Sequence, residues 1–268
     1  MLRSHRWKLL LASCVSSLAA CGGGGAATSA ATPGSTPGAV VPAVSSVSST
    51  TQPWHIGLWS PSTLSVKVAQ GDSVIVVTGQ WNANATYSAA AAPTMSPGAL
   101  VAVADSAPAV VGKLSPPVFA QIYAAFKLAA GTYTITPPDE GGAAGDGTMY
   151  VAVVSGISGV RAGSVASVRN QGSALPSISL RSGSTAQPGD LWLAAAVYDD
   201  SSPWPTAGMT DPPAGWTSIG ANQDAPNFPP MEACWKLAAG GAESVGWSWA
   251  DPYANVANAL VAAFVPAP

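Results

Sequence analysis

Charged side chains and histidines are scarce in this chain, and their scarcity argues against several kinds of catalysis. Only 9% of the 268 residues are charged, and only two are histidines. Outside the first twenty residues, His55 is the one histidine. A Ser-His-Asp arrangement would have to use His55, and no Gly-x-Ser-x-Gly motif accompanies it. We therefore predict that the protein is not an enzyme and that His55 is a surface or packing residue.

Cysteine is also scarce, with three residues in the whole chain. Cys14 lies in a segment that we expect to be removed, and Cys21 lies where we expect a modification. Cys234 is then left without a disulfide partner, and with His55 alone it cannot form a zinc site. We predict that Cys234 is a small buried apolar residue on a strand, and we expect no cofactor.

Long apolar runs are also missing. No apolar run in the chain approaches the roughly 20 residues that a membrane-spanning helix needs. The chain instead begins with Arg3, Arg6 and Lys8, a short apolar stretch, and small residues, which is typical of a secretion signal over residues 1–20. Leu18 to Cys21 resembles the lipobox of bacterial lipoproteins. The resemblance implies cleavage before Cys21, a diacylglycerol on its thiol and an acylated amine. The alternative is an ordinary cleavage site that precedes a cysteine.

A lipidated Cys21 would attach the protein to a membrane without crossing it, because two or more acyl chains make a stable anchor. The residue that follows is Gly22, where an aspartate would resemble an inner-membrane retention signal. In a Gram-negative host we therefore expect an outer-membrane lipoprotein, with exposure on the cell surface as one outcome.

Residues 22–53 contain no charged residue and consist mainly of Gly, Ala, Ser, Thr, Pro and Val. Such a composition buries too little apolar surface to offset chain entropy. We predict that residues 21–53 are the lipidated cysteine and a disordered tether.

The acidic balance of the mature chain bears on its partners. Removing Arg3, Arg6 and Lys8 leaves seven basic and thirteen acidic residues. An acidic surface repels phosphate backbones, and no basic run offsets it, so we expect no nucleic-acid partner.

One hexapeptide occurs twice, as FKLAAG at 126–131 and as WKLAAG at 235–240. Its flanks agree in the same order: 71–77 resembles 189–195, and 150–154 resembles 260–264. Ordered similarity of this kind indicates an internal repeat. With frequent Gly and Pro and little helical periodicity, it predicts an all-β chain with two tandem, similar antiparallel β-sandwiches of jelly-roll or immunoglobulin-like type. The units would span residues 54–160 and 161–268, and the sequence does not decide whether they share one core.

Apolar alternation predicts seven strands in each unit. We expect Val245, Trp247 and Trp249 to face a core, as well as Tyr133 and Ile135. Each repeated segment should direct two side chains toward the core: Phe126 and Leu128 in the first unit, and Trp235 and Leu237 in the second. Each segment should end in a tight turn, at Gly131 and at Gly240. Residues 191–197 are apolar on both faces, which predicts a central strand covered on each side. The fourteen predicted strands are 56–60, 64–69, 73–80, 100–104, 118–128, 132–136, 149–154, 164–169, 178–180, 191–198, 216–220, 232–237, 245–249 and 259–265.

The second unit also contains PPAGWT at 212–217, between its GD-plus-apolar strand and WKLAAG. This order resembles β-sandwich domains of phage tail and bacterial exported surface proteins, over residues 189–265. The first unit lacks the tryptophan of the middle motif. The resemblance implies a fold and a generic surface-binding role, and no catalytic residue is carried over.

Two acidic segments are the candidates for chemistry. Asp139, Glu140 and Asp146 lie in a glycine-rich stretch whose oxygen ligands would suit Ca²⁺. Asp199, Asp200 and Asp211 surround a second segment. Turn formation by Asp and Gly is the simpler explanation in both places. A pair of carboxylates about 5–10 Å apart could instead hydrolyse a glycoside.

Trp204 lies between two prolines in the second acidic segment, where restricted backbone angles would hold an indole toward solvent. An aromatic face beside Asp199, Asp200 and Asp211 would suit stacking on a sugar ring or contact with a protein. The alternative is that Trp204 packs against the edge of the sandwich.

From these observations we predict a membrane-anchored envelope lipoprotein that acts as a non-enzymatic adhesion or carbohydrate/protein-binding module. One alternative is a hydrolytic or accessory protein that uses the acidic segments. Another is a purely structural envelope lipoprotein.

Overall fold

The computed structural model describes residues 40–53, 63–82, 92–105, 118–138, 145–171, 175–183, 185–200, 209, 212–222, 230–250 and 254–268. These residues all belong to one compact unit, Pro37–Pro268. They form strands and connections, with no helix among them. It follows that no helix in this part of the chain is long and apolar enough to cross a membrane. The prediction of an all-β chain is confirmed.

The described part of the chain contains sixteen strands, and thirteen of the fourteen predicted strands coincide with them to within a few residues. The fourteenth, 56–60, lies outside the described residues, as does His55. The strands are β1 Ala43–Pro53, β2 Leu64–Val68, β3 Ser73–Asn82, β4 Thr94–Ser96, β5 Val101–Asp105, β6 Val118–Ala125, β7 Gly131–Thr136, β8 Gly145–Ser155, β9 Ile157–Val160, β10 Ala166–Gln171, β11 Ser177–Arg181, β12 Leu191–Asp200, β13 Thr217–Asn222, β14 Met231–Leu237, β15 Ser244–Ser248 and β16 Ala254–Pro266.

The strands pair into four antiparallel sheets, which we name A to D. Sheet A has the order β1-β8-β3-β6-β5, and sheet B has the order β2-β7-β4. Sheet C has the order β10-β16-β12-β14-β13, with β9 also paired to β16, and sheet D contains β11 and β15. The isolated bridge between Met209 and Trp249 extends sheet D in the way that β4 extends sheet B.

Three apolar cores show that the sheets are stacked in the order B, A, C, D. The core between B and A contains Val76 and Tyr133, and the core between C and D contains Ala194 and Trp247. The core between A and C joins Ile75 of β3 to side chains of sheet C. Because burial of apolar surface is the main stabilising term in folding, this middle core makes the two sandwiches one body. The question that the sequence left open is thereby answered for the described residues.

Both central strands are apolar on both faces, and the stacking explains why. In β12, Leu193 and Ala195 face the middle core, while Trp192 and Ala194 face sheet D. All eight residues from Leu191 to Tyr198 are buried. The prediction that this strand is covered on each side is confirmed.

The two larger sheets have the same strand order once corresponding strands are matched. Taking β1 with β10, β8 with β16, β3 with β12, β6 with β14 and β5 with β13 converts the order of sheet A into that of sheet C. The registers of β3 with β8 and of β12 with β16 also agree with the sequence alignment. Ile75 lies opposite Ala152, as Leu193 lies opposite Ala262.

The repeated hexapeptides occupy matching places but differ in register. Each lies at the end of the strand beside the central one. In the first sandwich Val74 pairs with Ala125, so the next pair along the strands would be Ser73 with Phe126. Ser73 corresponds to Leu191, and Phe126 corresponds to Trp235. Leu191 nevertheless pairs with Leu237, two residues beyond Trp235. Leu237 is therefore at the sheet end and 41% exposed, so the prediction that it faces the core is wrong.

The outcomes for the other predicted inward residues follow from the same geometry. Phe126 and Trp235 are partly buried against the middle core, and Leu128 is partly buried against the core between B and A. The inward sides predicted for β7 and β15, and the burial of Cys234, are confirmed. Gly240 has a φ of +100°, as a tight turn requires, whereas Gly131 is the first residue of β7.

The predicted tether is wrong over Ala43–Pro53, which form β1. β1 pairs with β8 from Ala43 to Pro53, so its backbone groups find partners although its side chains are mostly Ser and Thr. Its composition did not predict a strand, because an edge strand can be stabilised by backbone hydrogen bonds to its neighbour without an apolar face. The first sandwich accordingly begins at Ala43 and not at residue 54. β9, assigned by sequence to the first unit, pairs with β16 of sheet C.

Candidate functional site

The connections between strands emerge at two opposite ends of the strand stack. We call the turn end the one where 69–72, 97–100, 126–130, 161–165, 182–190 and 238–243 join strands, and where Gly156 lies between β8 and β9. We call the opposite end the loop end. Eight connections leave it, and all of them include residues outside those described: 54–63, 83–93, 106–117, 137–144, 172–176, 201–216, 223–230 and 249–253.

Contacts across the middle core show that both sandwiches have their loop ends on the same side. Near the loop end, the Asn258 side chain donates a hydrogen bond to the carbonyl of Val118, the first residue of β6. At the turn end, the rings of Phe126 and Phe264 have centroids 6.2 Å apart. The connections of the two sandwiches therefore emerge together.

The predicted ligand-binding and calcium-binding residues belong to this end. Asp199 and Asp200 are the last residues of β12, and Asp146 is the second residue of β8. The side chains of these three residues lie outside what the structure describes. Trp204, Asp211, Asp139 and Glu140 lie wholly outside the described residues. The fold thus brings the ends of both acidic segments to one side of the molecule, which the sequence did not predict.

By sequence, acidic residues are more frequent beside the loop end than beside the turn end. The eight loop-end connections contain one basic residue, Lys113, and five acidic residues, and five further acidic residues lie within two positions of the adjoining strand limits. The five in the connections are Asp139, Glu140, Asp211, Asp224 and Asp251, and the five in strands are Asp105, Asp146, Asp199, Asp200 and Glu232. Five basic and three acidic residues lie at the turn end: Lys67, Lys127, Arg161, Arg181, Lys236, Asp72, Asp190 and Glu243.

Beneath the loop end, sheet A carries buried polar side chains where its apolar core ends. The Gln80 amide donates to the Gln121 side-chain oxygen at 3.2 Å and to the Thr78 hydroxyl at 3.4 Å. Gln80 and Thr78 are fully buried. Buried amides that hydrogen-bond to each other fix side-chain positions, so Thr78, Gln80 and Gln121 form an ordered polar layer at the loop end of sheet A. The signal in the sequence was Thr78 and Gln80, which follow the apolar run 74–77.

A buried carboxylate lies near the same end in sheet C. Glu232 is fully buried in β14, two residues from Cys234. Burial, and then the charge of Glu232, raise the pKa of the Cys234 thiol above its usual 9.0. The same two causes raise the pKa of Tyr150 above its usual 10.0. A thiol held protonated in this way is a poor nucleophile, so Cys234 is not suited to covalent catalysis.

A groove of about 640 Å³ lies on the side of the first sandwich, between the edge strands β1 and β2. Its lining includes Ser45, Ser46, Ser48, Lys67 and Asp72. Hydroxyl groups line one wall and the edge of β2 forms the other, so the groove presents polar atoms. Among the described residues, no three His, Cys, Asp or Glu side chains are grouped so that they could hold a metal ion.

No family model matches this chain, and neither a curated protein nor a solved structure matches it.

Proposed function

We propose that this protein is an acylated cell-envelope lipoprotein and a non-enzymatic binding module for carbohydrate or protein, built from a tandem duplication of one β-sandwich. Cys21 carries the lipid, and the outer membrane is its location in a Gram-negative host. The loop end is the binding surface. The common strand order of sheets A and C supports the duplication.

One observation supports this function most strongly: the chain enters at the end opposite the loops. The Val40 amide donates to the Ala267 carbonyl at 3.4 Å, and the Ala267 amide donates to the Gly156 carbonyl at 2.7 Å. The segment that leads to Cys21 therefore joins the turn end, beside the C-terminus. A lipid at Cys21 would therefore tether the folded part of the chain through its turn end.

The loop end has the features of a recognition surface. Connections at one end of a sandwich vary in sequence at little cost to the core, which is why binding residues concentrate there. Trp204 follows β12 in the 201–216 connection, with Asp199 and Asp200 before it and Asp211 after it. An indole with neighbouring carboxylates provides stacking and hydrogen bonding for a sugar.

A glycan array tests the carbohydrate part of the proposal. The probe is the mature chain from residue 21 with Cys21→Ser, compared with the same protein carrying Trp204→Ala. We expect the parent to bind a defined group of glycans and Trp204→Ala to lose most of that signal. Glu243→Gln, a change at the turn end, serves as a control that should bind like the parent. A parent that binds no glycan rejects sugar recognition.

Mass spectrometry of the membrane-extracted protein tests the anchor separately. The wild-type protein should have the mass of a chain that begins at Cys21 plus acyl groups. Cys21→Ser should lack the acyl mass. Equal acyl mass in both proteins, or none in either, would show that Cys21 is not lipidated.

A further inference from the structure

We propose that the groove between β1 and β2 binds an extended peptide of another protein, which pairs with the edge of β2 as a fourth strand of sheet B. The peptide has small side chains toward β1 and an acidic side chain beside Lys67. This site lies on the side of the first sandwich, so it is separate from the loop end and from the proposed lipid anchor.

The groove follows the free edge of β2. Sheet B contains three strands and sheet A contains five, and among the described residues β2 pairs only with β7. Five consecutive residues of this edge, 65–69, line the groove. An edge strand carries unpaired N–H and C=O groups along its free side, and these groups are a template for another strand. The groove therefore borders backbone groups to which a peptide can hydrogen-bond.

Serine side chains of β1 form the opposite wall of the groove. Ser46 and Ser48 pair with Val153 and Val151 of β8, which belong to the core between sheets B and A. Directly paired residues lie on the same face of a sheet, so the two serines face sheet B. Ser46 is exposed and Ser48 is partly exposed. Uncharged hydroxyl groups at this wall favour small or polar side chains on an added strand.

The size of the groove fits one strand. Residues 65–69 extend over about 17 Å, neighbouring strands are about 4.8 Å apart, and stacked sheets are about 10 Å apart. A strand of that length beside β2 and against β1 would occupy about 800 Å³. The groove has a volume of about 640 Å³. A short extended segment with small side chains therefore matches it.

The corresponding edges of the second sandwich meet each other. Ser48 of β1 corresponds in register to Ala166 of β10, which is partly buried against the core between sheets C and D. The Gly183 amide, just beyond β11, donates to the Ser164 carbonyl at 3.3 Å. The two backbones touch there, because a Cβ atom on Gly183 would lie 2.7 Å from the Gly163 carbonyl oxygen. The shared fold therefore does not require a groove at this position.

Charge identifies the occupant as an acidic peptide and not a second copy of the chain. Lys67 is exposed on β2, and its paired residue on β7 is the uncharged Thr132. An acidic side chain opposite Lys67 on an added strand is favourable, whereas a basic one is unfavourable. Two copies paired through their β2 edges would bring two Lys67 ammonium groups close together. Asp72 lines the groove near the turn end, so the acidic side chain belongs at the centre of the peptide.

Titration with a synthetic peptide, followed by NMR and amide hydrogen exchange, tests the site. The probe is the peptide STSESTS, added to the mature chain from residue 21 with Cys21→Ser. We expect saturable binding that slows exchange of the outward-pointing amides within 65–69 by about tenfold or more, because each becomes hydrogen-bonded. The control peptide STSKSTS should bind about threefold more weakly or worse.

Two N-methylated forms of the acidic peptide test whether it binds as a strand. One is methylated at its odd-numbered residues and the other at its even-numbered residues. Alternate N–H groups of a strand point to opposite edges, so only one set can bond to β2. One form should therefore bind about tenfold more weakly than the other.

Substitutions on opposite faces of β1 locate the site. Ser46→Trp places an indole in the groove and should weaken binding by about tenfold or more. Ser49→Trp is the matched control, because Ser49 is also exposed but pairs with Tyr150, on the other face of β1. It should bind within about twofold of the parent. Lys67→Glu should reverse the preference, so that STSKSTS binds more tightly than STSESTS.

No saturable binding of STSESTS at millimolar concentration would overturn the proposal, and so would equal binding by Ser46→Trp and Ser49→Trp. Slow exchange at 65–69 that depends on protein concentration without peptide would show a second copy in the groove, and would also overturn it. These outcomes are independent of sugar binding, which is read on the glycan array, and of acylation, which is read by mass spectrometry.

Discussion

Tyr150 and Tyr133 are both buried tyrosines, but only one has a partner for its hydroxyl in the part of the chain described. The Tyr133 hydroxyl donates to the Ala129 carbonyl at 3.0 Å, whereas the buried Tyr150 hydroxyl has no hydrogen bond to any residue that the structure describes. Tyr133→Phe should lower the free energy of unfolding by about 1 kcal/mol, because a hydrogen bond is lost. Tyr150→Phe should leave it unchanged or raise it by up to about 1 kcal/mol, because an unsatisfied group is removed.

Urea denaturation at neutral pH measures both changes. Each variant is the control for the other, since the substitution is the same and both side chains are buried. A Tyr150→Phe protein that loses as much stability as Tyr133→Phe would show that the Tyr150 hydroxyl has a partner in the native state.

Cys234 should make the protein less stable in alkali. Burial raises its pKa in the folded state, so below the unfolded value of 9.0 the thiol is protonated in both states and has no pH-dependent effect. Above pH 9 only the unfolded state ionises, which favours unfolding. Between pH 7.5 and pH 10 the wild-type protein should lose about 1.4 kcal/mol more than Cys234→Ala.

Urea titrations of both proteins at the two pH values measure this difference. Tyr150 is present in both, so its own ionisation cancels. The same loss of stability in wild type and Cys234→Ala would mean that the thiol ionises as readily in the folded state as in the unfolded one.

At the level of single elements, the sequence predicted strands well where apolar alternation was strong. β15 and the bridge residue that follows it are an example, because Val245, Trp247 and Trp249 can be buried together only on one face of an extended segment. β1, β4 and β9 were missed, because their residues are mostly small or polar. Their stability comes from hydrogen bonding to β8, β7 and β16, and such pairing leaves no periodic signal in the sequence.

The register difference between the repeated hexapeptides has a local cause. Lys127 has a φ of +53°, a left-handed conformation that side chains other than glycine seldom adopt. The strand therefore ends at Ala125, and Leu128 rather than Lys127 donates to the Asp72 carbonyl. In the second sandwich β14 continues to Leu237, and Ala238 donates to the Asp190 carbonyl. The two similar segments, 126–131 and 235–240, therefore pair in different registers, and a sequence alignment does not reveal such a difference.

Gly220 of β13 tests the packing of sheet C on sheet A. A Cβ atom at Gly220 would overlap the ring of Tyr150, which is 3% exposed and cannot move aside easily. Gly220→Ala should therefore lower the free energy of unfolding by about 1–3 kcal/mol. Gly159→Ala in β9 is the matched control, because no atom lies within 4 Å of its Cβ position, and it should be close to neutral.

A double variant extends this test. Adding Tyr150→Leu to Gly220→Ala should restore part of the loss, which would measure coupling between the two sandwiches. Strictly additive effects, or equal stability of Gly220→Ala and Gly159→Ala, would be inconsistent with the middle core.

At the level of the whole molecule, the sequence predicted two similar sandwiches but not how they meet. An apolar face on a strand shows that something covers it, without showing whether the cover is a helix, a sheet or a second unit. Sheets A and C cover each other, so the stack has four layers where a single domain usually has two or three.

The net charge of the chain likewise does not show how its charged residues are distributed over the strands and connections. The acidic balance of the whole chain predicts that it has no nucleic-acid partner, and this stays a prediction. By sequence, the loop-end connections and the strand residues beside them are acidic, whereas five basic and three acidic residues lie at the turn end. If Cys21 is lipidated as we propose, the protein is tethered to the membrane through the turn end.

Quenching of fluorescent labels by spin-labelled lipid headgroups measures that orientation most directly. The acylated protein would carry a single label at Val165→Cys, at the turn end, or at Ala221→Cys, an exposed site near the loop end. Cys234 is buried and should not be labelled in the native state. We predict several-fold stronger quenching at position 165 than at position 221. Equal quenching at both positions, or stronger quenching at 221, would contradict a protein held by its turn end.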